Sequence, residues 1–336
     1  MQGVRSKIVG TGMSVPDRVV TNAELAEKMD TSDEWIQQRT GIIERRWIEE
    51  GESPASLAET ASRQALEDAG LEIGDIDCIL LSTLSPEHEF PGTSFFLHER
   101  LEAGEIPCID LRAQCSGFLY GLSFADAMIC AGRYRRVLVL GCEVHSTGLE
   151  IADRGRDVSV IFGDGAGAVL LEATDDPEDR SGLLGIRLHA EGRHARRLWI
   201  ENPSSGHRPV RFTHEMLDDG SMFPRMEGKF VFKHAVTRMP EVLRETIDAA
   251  SVKLEDIDLF LFHQANLRIN EYVANQLEIP SDRVLNNIQR YGNCSAASIP
   301  MLLAEASREG RVQAGQLVSM TSFGSGFTWA SALVRW

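Results

Sequence analysis

The chain has 336 residues, 43% hydrophobic and 25% charged, with six cysteines and a formal net charge of −16. That length allows a large core in one or two domains, and the acidic balance argues against nucleic acid as a partner. No apolar run approaches the roughly 18 residues of a membrane span, and the first residues lack a signal pattern, so membrane spanning and secretion are disfavoured.

The cysteines form no CxxC pair and no His/Cys ligand spacing. A disulfide framework or a metal site is disfavoured, and a reducing cytoplasm is the simpler reading. In chain order, residues 4–12 read as a first strand ending in a Gly-rich turn. Thr21 to Glu24 fit a capping box, and a second short helix is predicted over Ser32–Arg39. Trp35 and Arg39 lie four apart on one face of it. They suit either a surface packing contact or a ring and guanidinium that stack on a nucleobase. Ser53-Pro54 opens a further helix, Gly70 closes it, and Asp75 to Thr83 is a strand buried on both faces.

A short buried strand over Cys108–Leu111 leads into a helix from Cys115 to about Cys130, on the helical spacing of Phe118, Leu122, Ala125 and Ile129. Cys115 thus stands on a strand-to-helix turn among small neighbours, Ala113, Ser116 and Gly117. Unpaired N–H groups and the helix dipole stabilise a thiolate at such a turn. The same residue also reads as one more small buried hydrophobe.

Arg136–Cys142 and Gly315–Ser322 are further buried strands. Gly163 to Ala168 completes neither a GxGxxG nor a Walker pattern and precedes a strand, so it reads as a crowded turn and not a nucleotide site. Asp256 to Gln264 echoes Asp75 to Thr83 at a separation of 181, again after an apolar helix, Phe232 to Ala250. Cys294-Ser295-Ala296 echoes Cys115-Ser116-Gly117 at 179. Two matches at nearly one offset point to two similar α/β halves, 1–174 and 175–336, each a mostly parallel sheet between helices. Residues 201–225 lack periodicity and read as a long surface loop.

His263 should emerge at the C-terminal end of its strand, where ligands bind in α/β sheets, although a satisfied core histidine fits too. Asn293 stands just before the echo of Cys115 and could equally cap the helix of Ser295–Arg308. Phe323 to Phe327 is a glycine loop whose N–H groups could face an oxyanion, or simply a tight turn.

Together, Thr31–Ile42, Gln114-Cys115-Ser116-Gly117-Phe118, His263-Gln264-Ala265-Asn266, Tyr291-Gly292-Asn293-Cys294-Ser295-Ala296-Ala297-Ser298 and Phe323–Ser331 resemble the β-ketoacyl-[acyl-carrier-protein] synthase III family of the thiolase superfamily. The resemblance spans the chain and implies the duplicated αβαβα thiolase fold. It implies that Cys115 takes an acyl group from an acyl-CoA, with the amides of Cys115 and Ser325 as the oxyanion hole. His263 and Asn293 would then stabilise the enolate formed as malonyl-carrier protein loses carbon dioxide. It implies adenine stacking on Trp35 beside Arg39, with the opposing arginine either Arg154, by its Asp-Arg-Gly context, or Arg156, by its distance from Phe162. Asn266 would contact the pantetheine arm, and Phe90 would cross a homodimer interface to limit the partner's acyl tunnel. No cofactor is implied beyond coenzyme A carried as substrate.

Departures bear on substrate. Lys229 stands where the family usually has an Asn, and the segment 201–225 is longer than in short-chain enzymes. Gln114 and the variation through Arg156 to Val160 look like a divergent branch that takes medium-chain primers or serves secondary metabolism, which implies a primer longer than acetyl. Arg268 and Lys233 are candidates to dock the acidic carrier protein. The same residues would also serve a related thiolase-fold acyltransferase or acyl-CoA condensing enzyme. A silent acyl-CoA-binding module fits less well, because Cys115, His263 and Asn293 are all present.

Overall fold

Two five-stranded sheets take up the continuous apolar runs of the sequence. The computed structural model describes residues 4–176, 178–206 and 210–336; Pro177 in the linker and 207–209 in the long loop lie outside the described residues. The first half contains β1 (Arg5–Ser14), β2 (Val19–Thr21), α1 (Asn22–Ala26), α2 (Asp33–Thr40), β3 (Glu44–Arg46), α3 (Pro54–Ala69) and β4 (Cys78–Ser82). It continues with α4 (Thr93–Arg100), β5 (Cys108–Leu111), α5 (Gly117–Cys130), β6 (Arg136–Glu143), α6 (Arg156–Ser159) and β7 (Gly165–Thr174). The second half opens with β8 (Gly182–Ala190), β9 (Leu198–Trp199), α7 (Glu215–Asp218), β10 (Arg225–Met226), α8 (Gly228–Ala249) and β11 (Leu259–Phe262). It closes with α9 (Leu267–Gln276), β12 (Val284–Leu285), α10 (Ile288–Tyr291), α11 (Ser298–Arg308), β13 (Leu317–Gly324) and β14 (Thr328–Arg335).

The strand orders are β1-β7-β6-β4-β5 and β8-β14-β13-β11-β12, the same plan twice. In each sheet the central strand and its two outer neighbours on one side run parallel, while the last two join antiparallel. The sheets are therefore mixed, not mostly parallel. Between β13 and β14 the cause is plain, since the short turn Ser325–Phe327 permits only an antiparallel return.

The offset of 181 read from Asp75 and Asp256 is the frame of the duplication, and the offset of 179 read from the cysteine echo is not. The first residues of β6 and β13, Arg136 and Leu317, lie 181 apart, as do Gly117 and Ser298 at the starts of α5 and α11. Gln114 and Ser295, also 181 apart, share a left-handed φ of 46° and 44°. Ala296 therefore stands opposite Cys115, and the Cys-Ser echo at 179 is a coincidence of composition.

Helices α5 and α11 lie between the sheets. Phe118, Leu122 and Ile129 of α5 meet Ile299, Leu302 and Leu303 of α11 in one core with residues of both sheets. Each such side chain stabilises by roughly 1.5–3 kcal/mol when fully buried. Outside them, α3 and α4 cover the first sheet and α8 and α9 the second, giving five layers, αβαβα.

Local starts follow side-chain caps. The Ser32 hydroxyl accepts from Trp35 N at 3.1 Å to open α2, and Ser53 forms a capping box with Ser56 to open α3. At α1 only half of the expected box forms: Thr21 accepts from Glu24 N, while the Glu24 carboxylate turns to Arg18 at 2.5 Å. Strand β5 is not buried; it is an edge strand, half exposed, with Ile109 at its surface. Helix α8 begins at Gly228, a turn earlier than its apolar run. A Cβ at Gly167 would fall 2.5 Å from Met301 N, so the 163–168 segment is a crowded backbone passage beside α11. No helix of the described residues is long and apolar enough to cross a membrane.

Candidate active site

Cys115, His263 and Asn293 line one cleft of about 560 Å³, together with Trp35, Arg39, Asn266, Lys229 and Arg268. Each arrives from a different element. Cys115 sits in a single turn of 3₁₀ helix, Gln114–Ser116, that delivers the chain into α5. His263 follows β11 directly, and Asn293 lies between α10 and the turn before α11.

The thiol is held closely. The Ser295 hydroxyl donates to Cys115 Sγ at 3.4 Å, and Gly324 packs so tightly that a Cβ there would fall 2.7 Å from Cys115 Cβ. Burial pushes the thiol up to about 11; the Ser295 hydroxyl and the backbone N–H groups of Ser325 and Cys115 pull the other way without overcoming it. The resting residue is a thiol, a correction to the thiolate expected from the helix start. Desolvation outweighs the few N–H groups of that turn.

His263 is 2% exposed, and burial holds its imidazole down to about 3, so it is neutral. Its Nδ1 pairs with Ser298 Oγ at 2.7 Å, and the same oxygen accepts the Gln264 N–H at 3.3 Å. The Ser298 proton has no other acceptor among the described residues, so it goes to Nδ1, which leaves Nε2 as the N–H donor. That Nε2 is buried and has no partner among the described residues. Asn293 Oδ1 accepts from Ser295 N at 2.8 Å, so its Nδ2 is the end left for a ligand. The site therefore offers two neutral donors, as a developing oxyanion requires.

Glu143, at the end of β6, is buried beside them. Its carboxylate accepts from Thr83, Leu84 N, both polar groups of Ser85, and Ala296 N. Burial still raises it to about 7. It ties the turn opposite Cys115 to the loop that runs on to Phe90.

At the mouth, the guanidinium of Arg39 lies 4.6 Å from the centre of the Trp35 ring and that of Arg156 lies 4.9 Å from it. Of the two arginines, Arg156 is the one that packs on this ring. Arg154 turns away to Glu150 and the Asp218 carbonyl, whereas Arg156 is anchored to the Asp30 carbonyl at 2.8 Å. Trp35 and Arg39 do pack on each other, and Arg156 packs on the same ring. Asn266 caps α9 and donates to the Arg39 carbonyl at 2.9 Å, so its amide is largely committed. Lys229 and Arg268 flank the opening, while Lys233 is exposed one turn further along α8 and does not line the cleft. Phe90 does not reach the cleft of its own chain; it is 86% exposed.

Sequence reading gave no role to Ser295, Ser298, Glu143 or Phe162. Ser298 had a signal: in the frame of 181 it stands opposite Gly117, and His263 opposite Ser82. The Ser82 hydroxyl donates to the Gly117 carbonyl at 2.7 Å, so the His263–Ser298 pair replaces a structural bond of the other half.

Residues 109–192 match the family described as 3-oxoacyl-[acyl-carrier-protein] synthase III, and 247–336 match its C-terminal counterpart. The chain is similar to a β-ketoacyl-[acyl-carrier-protein] synthase III of Roseiflexus castenholzii, 43% identical over 98% of this chain and 97% of that one. A synthase III of Rhodospirillum rubrum is 44% identical over 98% of this chain and 99% of its own. Among solved structures, the Aquifex aeolicus 3-oxoacyl-[acyl-carrier-protein] synthase III superposes with a TM-score of 0.89 at 42% identity, covering 98% and 100% of the two chains. The priming β-ketosynthase of the R1128 polyketide pathway follows at 0.88 and 33%, covering 98% and 96%. The fold is the thiolase fold, and the chain belongs to the β-ketoacyl-[acyl-carrier-protein] synthase III family.

Proposed function

We propose that the chain condenses an acyl-CoA primer with malonyl-[acyl-carrier-protein] to a β-ketoacyl thioester, with Cys115, His263 and Asn293 as its catalytic residues. The observation that carries the assignment of residues is the shared cleft: one thiol and two neutral, oriented donors face the same space. The Cys115 sulfur takes the acyl group as coenzyme A leaves as its thiol, carrying the Cys115 proton, with the N–H groups of Cys115 and Ser325 as the oxyanion hole. His263 Nε2–H and Asn293 Nδ2–H then hold the malonyl thioester oxygen, which becomes an enolate as carbon dioxide departs. No base is needed to remove a carbon-bound proton, and a neutral histidine suits that step because its task is donation. The enolate attacks the acyl-cysteine.

Trp35 and Arg156 suit the adenine, which would enter by displacing one guanidinium from the ring. Arg39 is the one free to move, since it forms no ion pair among the described residues, and it would meet a phosphate. Lys229 and Asn266 line the path of the pantetheine arm, and Arg268 with Lys233 forms the cationic rim for an acidic carrier. The departures at Lys229 and 201–225 favour a primer longer than acetyl. Phe90, Phe95 and Ile109 are exposed beside the open edge of β5. An uncovered strand edge with apolar side chains favours pairing with a second copy, so we read the working form as a homodimer, acting in the cytoplasm.

Intact-mass spectrometry after mixing with a panel of acyl-CoAs tests the assignment. An acyl adduct on the wild type and none on Cys115→Ala is expected. An adduct that survives the substitution overturns it. A faster reaction with acetyl-CoA than with octanoyl-CoA overturns the longer primer alone.

A further inference from the structure

His145 lies two residues past β6, and its main chain is clamped: its N–H, the Ser146 N–H and the Ser146 hydroxyl all donate to the Asp164 carboxylate at 2.5–2.9 Å. Its side chain is 8% exposed, and the ring packs on Phe162 with centroids 4.6 Å apart at 49°. Its Nε2 is buried without a partner among the described residues. Among them, only one other imidazole nitrogen is in that state, His263 Nε2, which awaits a substrate oxygen. The His145 ring is close enough to act on the charge of His263, and burial keeps both neutral.

The placement suggests what His145 awaits. Phe162 lines the cleft and bridges to Asn293, whereas His145 touches Phe162 without lining the cleft. It therefore lies against Phe162, one side chain removed from the cleft lining. The mouth must hold the pantetheine arm in both half-reactions, so an acyl group on Cys115 has to extend to the inner side. An alkyl chain would leave the buried imidazole nitrogen unpaired. A site built to hydrogen-bond a substrate oxygen discriminates against the analogue that lacks it.

We infer that His145 is a specificity-determining residue of the acylation step, and that it reads a hydroxyl or keto oxygen on the first few carbons of the primer. This rests on the acyl-cysteine reading above and names the substrate class of that same site: an oxygenated acyl thioester. A neutral imidazole has one donor and one acceptor, so either oxygen type can be met.

The test is the rate of Cys115 acylation, by intact mass, with butanoyl-CoA against 3-hydroxybutanoyl-CoA and octanoyl-CoA against 3-hydroxyoctanoyl-CoA. Wild type, His145→Leu and His145→Gln are compared. The wild type should take the hydroxylated primer about tenfold faster at matched length, the value of one buried hydrogen bond. His145→Leu should lose that preference, and His145→Gln, which keeps a donor and an acceptor, should retain part of it. Equal rates in the wild type overturn the inference and leave water as the partner of the ring. So does a preference that survives in His145→Leu. If His145→Leu fails to fold, the wild-type comparison and His145→Gln decide. A rise in KM for malonyl-carrier in His145→Leu with primer choice unchanged also overturns it, by moving the residue to the extender. No adduct from any thioester is a different result, which sinks the acyl-cysteine reading itself.

Discussion

Replacing Ser298 with Ala removes one oxygen and disturbs two buried groups. Ser298 is 2% exposed, so water has no easy route to the space. His263 Nδ1 loses its partner at 2.7 Å and the Gln264 N–H loses its acceptor at 3.3 Å. At about 1–3 kcal/mol for each of the two buried groups left unpaired, the stability loss is roughly 2–6 kcal/mol. The kinetic effect is separate. Without the Ser298 hydroxyl the imidazole is free to carry its proton on Nδ1, and Nε2 then becomes an acceptor facing an enolate. Loss of one preorganised donor of this kind costs roughly 10²–10³ in rate. Decarboxylation of malonyl-carrier should fall by that order, while acylation by acyl-CoA, which does not use His263 as donor, should stay within about threefold. Ser298→Thr keeps a hydroxyl and should recover much of the loss. A Ser298→Ala enzyme that decarboxylates at the wild-type rate, or that loses both steps equally, would refute the assignment of the tautomer.

The two arginines offer a paired comparison. Arg156→Ala should raise KM for acyl-CoA but not for acyl-pantetheine, which lacks the adenine, by roughly tenfold for one lost stacking partner; Arg154→Ala should change neither, and the reverse result would restore the Asp-Arg-Gly alignment. Gly324→Ala should slow acylation and cost about 1–3 kcal/mol in urea unfolding, because its methyl would overlap Cys115; unchanged acylation would show that the turn relaxes. pH dependence follows from His145 and His263, each held to about 3 in the folded chain. The unfolded chain takes up protons near 6.5, so their contribution is complete above that pH and is lost as the pH falls toward 3. By pH 5.5 the two together should cost roughly 2–3 kcal/mol relative to pH 7.5. Urea midpoints at the two pH values test this, and an NMR titration of His263 centred near 6.5 would contradict it.

The parts of the fold that were legible in the sequence are those where pattern and environment agree. The buried runs over β4, β6 and β11 and the helix start at Ser53-Pro54 belong to this group, because burial on both faces and a proline in the first turn leave direct marks. The exposure of β5 was hidden, because an edge strand that packs on one side carries the same apolar letters as a central one. The partner of Cys115 in the repeat was hidden for a related reason, although the offset of 181 between β4 and β11 was legible. A Cys-Ser pair two residues out of register looks better on the page than Cys115 against Ala296, although only backbone geometry at Gln114 and Ser295 decides between them. At the site, the motif residues that meet the cleft were visible as a set. Choosing Arg156 over Arg154 required knowing which way each side chain leaves the short helix α6 and its preceding turn. Ser298 and His145 act through hydrogen bonds, made or missing, which no spacing rule records.

The close approach of Gly324 to Cys115 has a counterpart. A Cβ at Gly141 of β6 would fall 2.2 Å from the Ala296 carbonyl, so the central strand of each half is cut back to admit the turn of the other. The two halves are thus keyed reciprocally, and the spacing between thiol and imidazole is a property of their engagement, with neither half able to set it alone. An enzyme built this way has no loosely attached catalytic part to lose first. Warming it should therefore not yield a folded but inactive species: the decay of acylation and the loss of the near-ultraviolet signal should trace a single curve.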